Sequence, residues 1–130
     1  MKSSKKKKAP NETSIQNAIL TYLSYRRDVF VWRNNTTGVY DAKRGRYRSS
    51  GKFAIKGVAD ILGITEEGRF IALEVKRPGS RASADQSNYL SRIKAFGGIA
   101  AVVTSVEEVV KVLEEEKHNG TKGLPEGLPS

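Results

Sequence analysis

The sequence predicts a three-layer α/β domain, its elements in the order α-β-β-β-α-β-α around a mixed central sheet. Three kinds of signal carry that reading. Apolar residues recur at helical spacing in three segments, and short β-branched, apolar runs lie between them. Gly, Pro and capping residues fall where one pattern gives way to the next.

Ile15, Ile19, Tyr22 and Leu23 share one helical face, so residues 13–27 read as an amphipathic helix. Residues 29–33, Val-Phe-Val-Trp-Arg, are β-branched and aromatic and read as a strand. The stretch 34–56 is rich in Gly, Ser, Asn and basic residues, which predicts a long loop or an irregular hairpin pairing 39–40 with 47–48. Residues 58–64 form an apolar run interrupted by Asp60, a second strand. Glu66-Glu67-Gly68 turns the chain into a third strand over 69–76, which Pro78-Gly79 stops. Ser83 with Gln86 three residues on forms a capping box, and Tyr89, Leu90, Ile93 and Phe96 are the expected buried face of the helix it opens. Gly97-Gly98 ends that helix, 99–103 is a short buried strand, and Ser105 with Glu108 caps a last helix carrying Val106, Val109, Val110 and Leu113.

Composition narrows the function classes. The chain has 130 residues, enough for one domain, with 23 Lys plus Arg against 14 Asp plus Glu and a formal charge of +9. That surplus favours a polyanionic partner, nucleic acid before membrane. Absence of Cys excludes disulfide frameworks, zinc fingers and cysteine nucleophiles, and one histidine, His118, disfavours histidine-rich metal sites and Ser-His-Asp triads. A metal here would be held mainly by oxygen, which points to Mg²⁺ or Mn²⁺. No apolar run approaches the roughly 18–20 residues that cross a bilayer, and no apolar core follows Lys2 and Lys5 to Lys8, so a soluble, cytoplasmic protein with no membrane partner is expected. Residues 1–10 read as a disordered basic arm, 11–117 as the folded domain and 118–130 as a flexible tail.

The third strand and Asp60 carry the chemistry. Side chains alternate along a strand, so Phe70, Ala72, Glu74 and Lys76 share one face, and Ile71, Leu73 and Val75 the other. A Glu-x-Lys pair on its own is usually a structural ion pair. Asp60, however, is a second acid inside an apolar strand, costly to bury unless compensated, and the turn at 66–68 folds it against Glu74. A divalent cation shared by both acids would compensate them, with Lys76 placed to position a water or stabilise charge on phosphorus. The basic loop supplies Arg33, Lys43, Arg44, Arg46, Arg48, Lys52 and Lys56, interleaved with Tyr40, Tyr47 and Phe53, a pattern suited to phosphate contacts and base stacking. The Lys-rich arm would add sequence-blind, salt-dependent affinity, whereas Glu107, Glu108, Glu114, Glu115 and Glu116 should turn the last helix away from DNA.

Asp60 and Glu74-Val75-Lys76 resemble the motif of PD-(D/E)xK nucleases. With Gln16 on the first helix, Trp32-Arg33-Asn34-Asn35, Arg77-Pro78-Gly79, Gln86 and Gly97-Gly98-Ile99-Ala100, the ordered set resembles the VRR-NUC (virus-type replication-repair nuclease) domain in its stand-alone phage or prophage form, over about residues 12–113. The resemblance implies a restriction-endonuclease-like α-β-β-β-α-β core with a C-terminal helix, and Mg²⁺- or Mn²⁺-dependent hydrolysis of DNA phosphodiesters. It makes Asp60 and Glu74 metal ligands, adds the Val75 carbonyl as a further ligand, and makes Lys76 the catalytic lysine. Gln16 matches a first-helix glutamine near the active site, and Glu12 resembles the metal-binding helix glutamate of Holliday-junction resolvases. Each has a plainer role open, Gln16 as the capping partner of Thr13 and Glu12 as a first-turn acid. Gln86 is shared between capping Ser83 and contacting DNA; Asn34 joins the basic loop residues as a candidate DNA contact. The resemblance also implies homodimers acting on branched DNA in replication, recombination or repair, within a bacterial or phage-infected cell. One residue departs from the pattern: Ala59 stands where the family usually has Pro. The competing reading is a non-catalytic, architectural DNA-binding protein on the same fold.

Overall fold

A computed structural model describes residues 10–35, 40–47 and 52–122. The chain forms α1 (Glu12–Ser24), β1 (Val29–Arg33), β2 (Tyr40–Asp41), β3 (Arg46–Tyr47), β4 (Ile61–Thr65), β5 (Phe70–Val75), α2 (Ala84–Ala95), β6 (Ile99–Val103) and α3 (Val106–Lys122). The order matches expectation, with the loop between β1 and β4 containing a two-residue hairpin, Tyr40 opposite Tyr47 and Asp41 opposite Arg46. Arg48, the basic arm and residues 123–130 lie outside the described residues.

Element boundaries differ from the sequence reading for local reasons. Asn11, rather than Thr13, caps α1: its side chain accepts from the Ser14 N–H at 2.7 Å. Gln16 is therefore not a capping partner of Thr13. The helix stops at Ser24 as Tyr25 and Arg26 N–H groups tighten onto Tyr22 and Leu23 carbonyls. Arg26 then pairs with Asp28 at 2.6 Å, and Lys117 on α3 reaches the same carboxylate at 3.1 Å. Phe96 was expected in the core but is 86% exposed, because α2 ends at Ala95 and the chain turns there. That turn is a Schellman motif, with Gly98 donating to the Ile93 carbonyl and Gly97 to that of Lys94, both at 2.9 Å. Ser105 does cap α3, accepting from the Glu108 N–H at 3.1 Å, while the Glu108 carboxylate accepts from the Thr104 N–H. α3 itself continues to Lys122, into the stretch that composition assigned to the tail.

Four strands make one mixed sheet in the order β1-β4-β5-β6; only β5 and β6 run parallel, joined through α2. Helices cover both faces, which makes the architecture three-layered. On one face Ile15, Ile19 and Leu23 of α1 and Val109 and Leu113 of α3 pack on Ile61, Ile71, Leu73, Val75, Ile99 and Val103. On the other, Tyr89 and Leu90 of α2 pack on Ala59, Ala72 and Ala100. The alternation of β5 thus places Glu74, in phase with Ala72, on the α2 face.

Gly63 lets β1 and β4 approach. A Cβ there would lie 2.5 Å from Val31 Cγ1 and 2.6 Å from the Phe30 carbonyl oxygen. Gly63→Ala is expected to destabilise the fold by about 1–3 kcal/mol through overpacking, lowering Tm by roughly 5–20 °C in thermal denaturation. An unchanged Tm would contradict that close approach.

Candidate active site

The site forms where β4 begins and β5 ends. In the antiparallel register Ile61 faces Leu73, so one step outward Asp60 comes beside Glu74. The Val75 N–H donates to Asp60 Oδ2 at 2.8 Å, fixing that carboxylate from the β5 backbone. Glu74 is only 2% exposed. Its Oε2 accepts from Gln86 Nε2 at 3.1 Å and lies 3.6 Å from Lys76 Nζ. Its Oε1 is buried with no hydrogen-bond partner among the described residues.

Electrostatics follow from that arrangement. Burial pushes the Glu74 carboxyl up to about 8, the adjacent Asp60 pushes it the same way, and Lys76 draws it partly back. A carboxyl held protonated near neutral pH by burial, with a second acid beside it, is a group short of positive charge. A divalent cation would supply that charge and give Oε1 a partner. No group of three or more His, Cys, Asp or Glu side chains converges among the described residues. Two carboxylates nevertheless fit Mg²⁺, which keeps several waters and binds through one or two of them. Asp60 and Glu74 are the side chains that would hold it.

Gln86 fills the capping role expected of it and adds a contact with Glu74 that was not foreseen. Its Oε1 accepts from the Ser83 N–H at 2.8 Å, its own N–H donates to Ser83 Oγ at 3.2 Å, and its Nε2 is left to reach Glu74. Gly57 locks the approach to the site against the same turn of α2. It adopts φ 78°, and a Cβ there would overlap the backbone of Asp85 and lie 2.6 Å from the Gln86 nitrogen. Neither this contact nor the grip of Asn34 on the backbone before β4 was foreseen. Asn34 donates its N–H to the Asp60 carbonyl at 2.8 Å and its Nδ2 to the Ala59 carbonyl at 3.1 Å. Both depend on approaches between segments more than twenty residues apart, for which a single sequence gives no signal.

The remaining candidates are more dispersed. Gln16 and Glu12 are half-buried on α1, which packs on the opposite sheet face from Glu74. No hydrogen bond or ion pair among the described residues joins either to Asp60 or Glu74. They do lie toward the same end of the sheet, since Arg33, opposite Ile61 in the register, donates to Asn17 of α1. Lys43, Arg44, Lys52 and Lys56 are exposed on the loop before β4, as is Phe53.

Residues 45–107, which contain Asp60, Glu74, Lys76 and Gln86, match the family model of the VRR-NUC domain. A solved structure described as a VRR_NUC domain protein has the same fold, with a TM-score of 0.59 at 17% identity over 85% of this chain and 91% of that one. Among curated proteins none matches the chain. The solved structure shares the fold, and the matched segment implies a nuclease of the PD-(D/E)xK type. More specifically, the family matched over that segment, the VRR-NUC domain, comprises nucleases that are generally dependent on divalent metal, and DNA is the substrate class such a domain implies. No helix among the described residues is long and apolar enough to cross a membrane.

The protonation of Glu74 has a measurable sign. Between the ordinary value of 4.5 and about 8 the unfolded chain has released this proton while the folded chain keeps it, so metal-free stability falls as pH rises through that window. Glu74→Gln mimics the protonated form. In EDTA its Tm should exceed that of the parent at about pH 8.5 and match it at about pH 5. Equal melting at both values would mean that Glu74 is ionised in the fold throughout.

Proposed function

We propose that the protein is a Mg²⁺- or Mn²⁺-dependent endonuclease that hydrolyses DNA phosphodiester bonds near branch points, in the manner of a Holliday-junction resolvase, during replication, recombination or repair. The observation that carries this is that Glu74, with Asp60 and Lys76 beside it, has its Oε1 buried and without a partner among the described residues. A purely architectural DNA-binding protein would have no use for so costly a group.

In this reading Asp60 and Glu74 hold the cation, with the Val75 carbonyl at the end of β5 as a further ligand. The bound ion supplies Lewis-acid polarisation of the phosphodiester and a more acidic water. Lys76 orients that water from beside Glu74 and stabilises the negative charge that grows on the non-bridging oxygens as the water oxygen bonds to phosphorus. The bond to the leaving deoxyribose oxygen then breaks, and that oxygen takes up a proton in balance with the one the attacking water gives up. Gln86 keeps Glu74 Oε2 in place while this happens. Gln16 and Glu12, near the same sheet end, complete the site only on approach of substrate. The basic loop, from Arg33 through Lys43, Arg44, Arg46, Arg48, Lys52 and Lys56, grips phosphates without reading base edges, so selectivity comes from DNA shape.

We further propose a cytoplasmic homodimer, in which a two-fold axis sets two sites against opposing strands. Support comes from the sheet itself. On the face of Glu74, α2 packs over β5 and β6, and beyond it Phe30, Trp32, Ile64 and Phe70 form an exposed stripe, with the Phe30 and Trp32 rings 5.4 Å apart. Phe30→Glu, at a position 68% exposed, should shift the sedimenting species from dimer to monomer without unfolding it; a parent protein that sediments as monomer would remove the dimer.

The catalytic reading is tested by gel cleavage of labelled four-way junction, flap, duplex and single strand in Mg²⁺, Mn²⁺ and EDTA. Branched substrates should be cut only with metal, and Lys76→Ala should slow cutting by roughly 10²–10³-fold while DNA binding in EDTA persists. Binding with no cutting under any metal would favour the architectural alternative.

A further inference from the structure

We infer that Asn34 is a positioning residue for Asp60, fixing the two peptide groups that carry it rather than touching DNA; the inference rests on the metal-dependent reading above. Asn34 lies one residue beyond β1, where the chain leaves the sheet. It donates twice to consecutive carbonyls, from its N–H to Asp60 and from Nδ2 to Ala59. Those carbonyls lie just before β4 and so outside its ladder, whose first paired residue is Ile61. Ala59 is fully buried, so its carbonyl needs a donor that water cannot supply. Ala59 also brings no pyrrolidine ring to restrict the backbone before the acid, so restraint has to come from a neighbour.

Asp60 is thereby held from both sides. Asn34 fixes its main chain from β1, and the Val75 N–H fixes its carboxylate from β5. Removing Nδ2 frees the Ala59 peptide to rotate and carries the carboxylate with it. The carboxamide donor points inward, to a buried carbonyl, which is the geometry of a brace. Partners that orient metal ligands in this way are typically worth about 10–100-fold in metal affinity.

The experiment is calorimetric Mn²⁺ titration of the full-length protein and of Asn34→Ala, with duplex binding in EDTA and thermal melting alongside. The Kd for Mn²⁺ should rise about 10–100-fold in the variant, with duplex affinity in EDTA unchanged. Asn34→Ser, whose hydroxyl can still donate, should recover part of the loss and serves as the readout if Asn34→Ala does not fold. Unchanged Mn²⁺ affinity would overturn the inference, whether or not Tm falls. Weakened duplex binding with intact Mn²⁺ affinity would also overturn it and make Asn34 a DNA contact. A parent protein that binds no Mn²⁺ would take away the metal-dependent reading itself, and this inference with it.

Discussion

Burying a carboxylate costs several kcal/mol unless charge and hydrogen bonds replace its water. Glu74 imposes that constraint at the end of β5, on the sheet face that α2 covers. Its strand, β5, lies inside the sheet between β4 and β6, and five of its six residues are buried. The surroundings answer only in part. Gln86 and Lys76 serve one oxygen, Asp60 repels, and the other oxygen has no partner among the described residues. A fold selected for stability alone would do better with an apolar residue here. That incomplete compensation is what favours the proposed metal-binding role over a structural ion pair.

The rest of the Glu74 face follows from keeping that group in place. Its core is built from small residues, Ala59, Ala72 and Ala100, under Tyr89 and Leu90. Small side chains let α2 lie close to the sheet, and close packing is what allows a glutamine on its first turn to span to β5. The same turn receives Gly57, where even a methyl group would collide with helix backbone. Loop, helix start and strand end are thus packed directly on one another, so displacing one displaces the others. The α1 and α3 face shows a different composition, filled by Ile, Leu and Val with no buried acid. One face supplies most of the aliphatic core and the other sacrifices volume for chemistry.

Much of this was legible in the sequence because it is periodic or local. Helical spacing located α1, α2 and α3, period-two alternation separated Glu74 and Lys76 from Ile71, Leu73 and Val75, and the two capping boxes marked the starts of α2 and α3 to within a residue. Errors arose where a local signal had a competitor. Thr13 lost the cap of α1 to Asn11, and Phe96 fitted a helical face that ended one residue before it. Asn34 presents no local pattern at all: its two acceptors lie about 25 residues away and become its partners only once β1 pairs with β4. Gly57 reads in sequence as one more flexible loop residue, and its contact with α2 exists only in three dimensions.

Residue types alone placed two acids and a lysine at the end of a strand pair, but could not separate a metal site from a salt bridge. The distinction lies in how charge and burial are balanced. In a structural pair, lysine and glutamate would meet as equals at 3 Å or less in good geometry. Here Lys76 stands 3.6 Å from Glu74, with Asp60 opposing it and an oxygen that finds no partner among the described residues. The lysine leaves the site short of positive charge by an amount that a hard divalent cation would supply, and such a cation is strongly attracted to paired carboxylates in a low-dielectric pocket. Once it is bound, Lys76 would be released from neutralising an acid and become available to the negative charge of a reacting phosphate. The same electrostatic deficit therefore fits both the proposed cation and a lysine that sits beside the acid without fully engaging it.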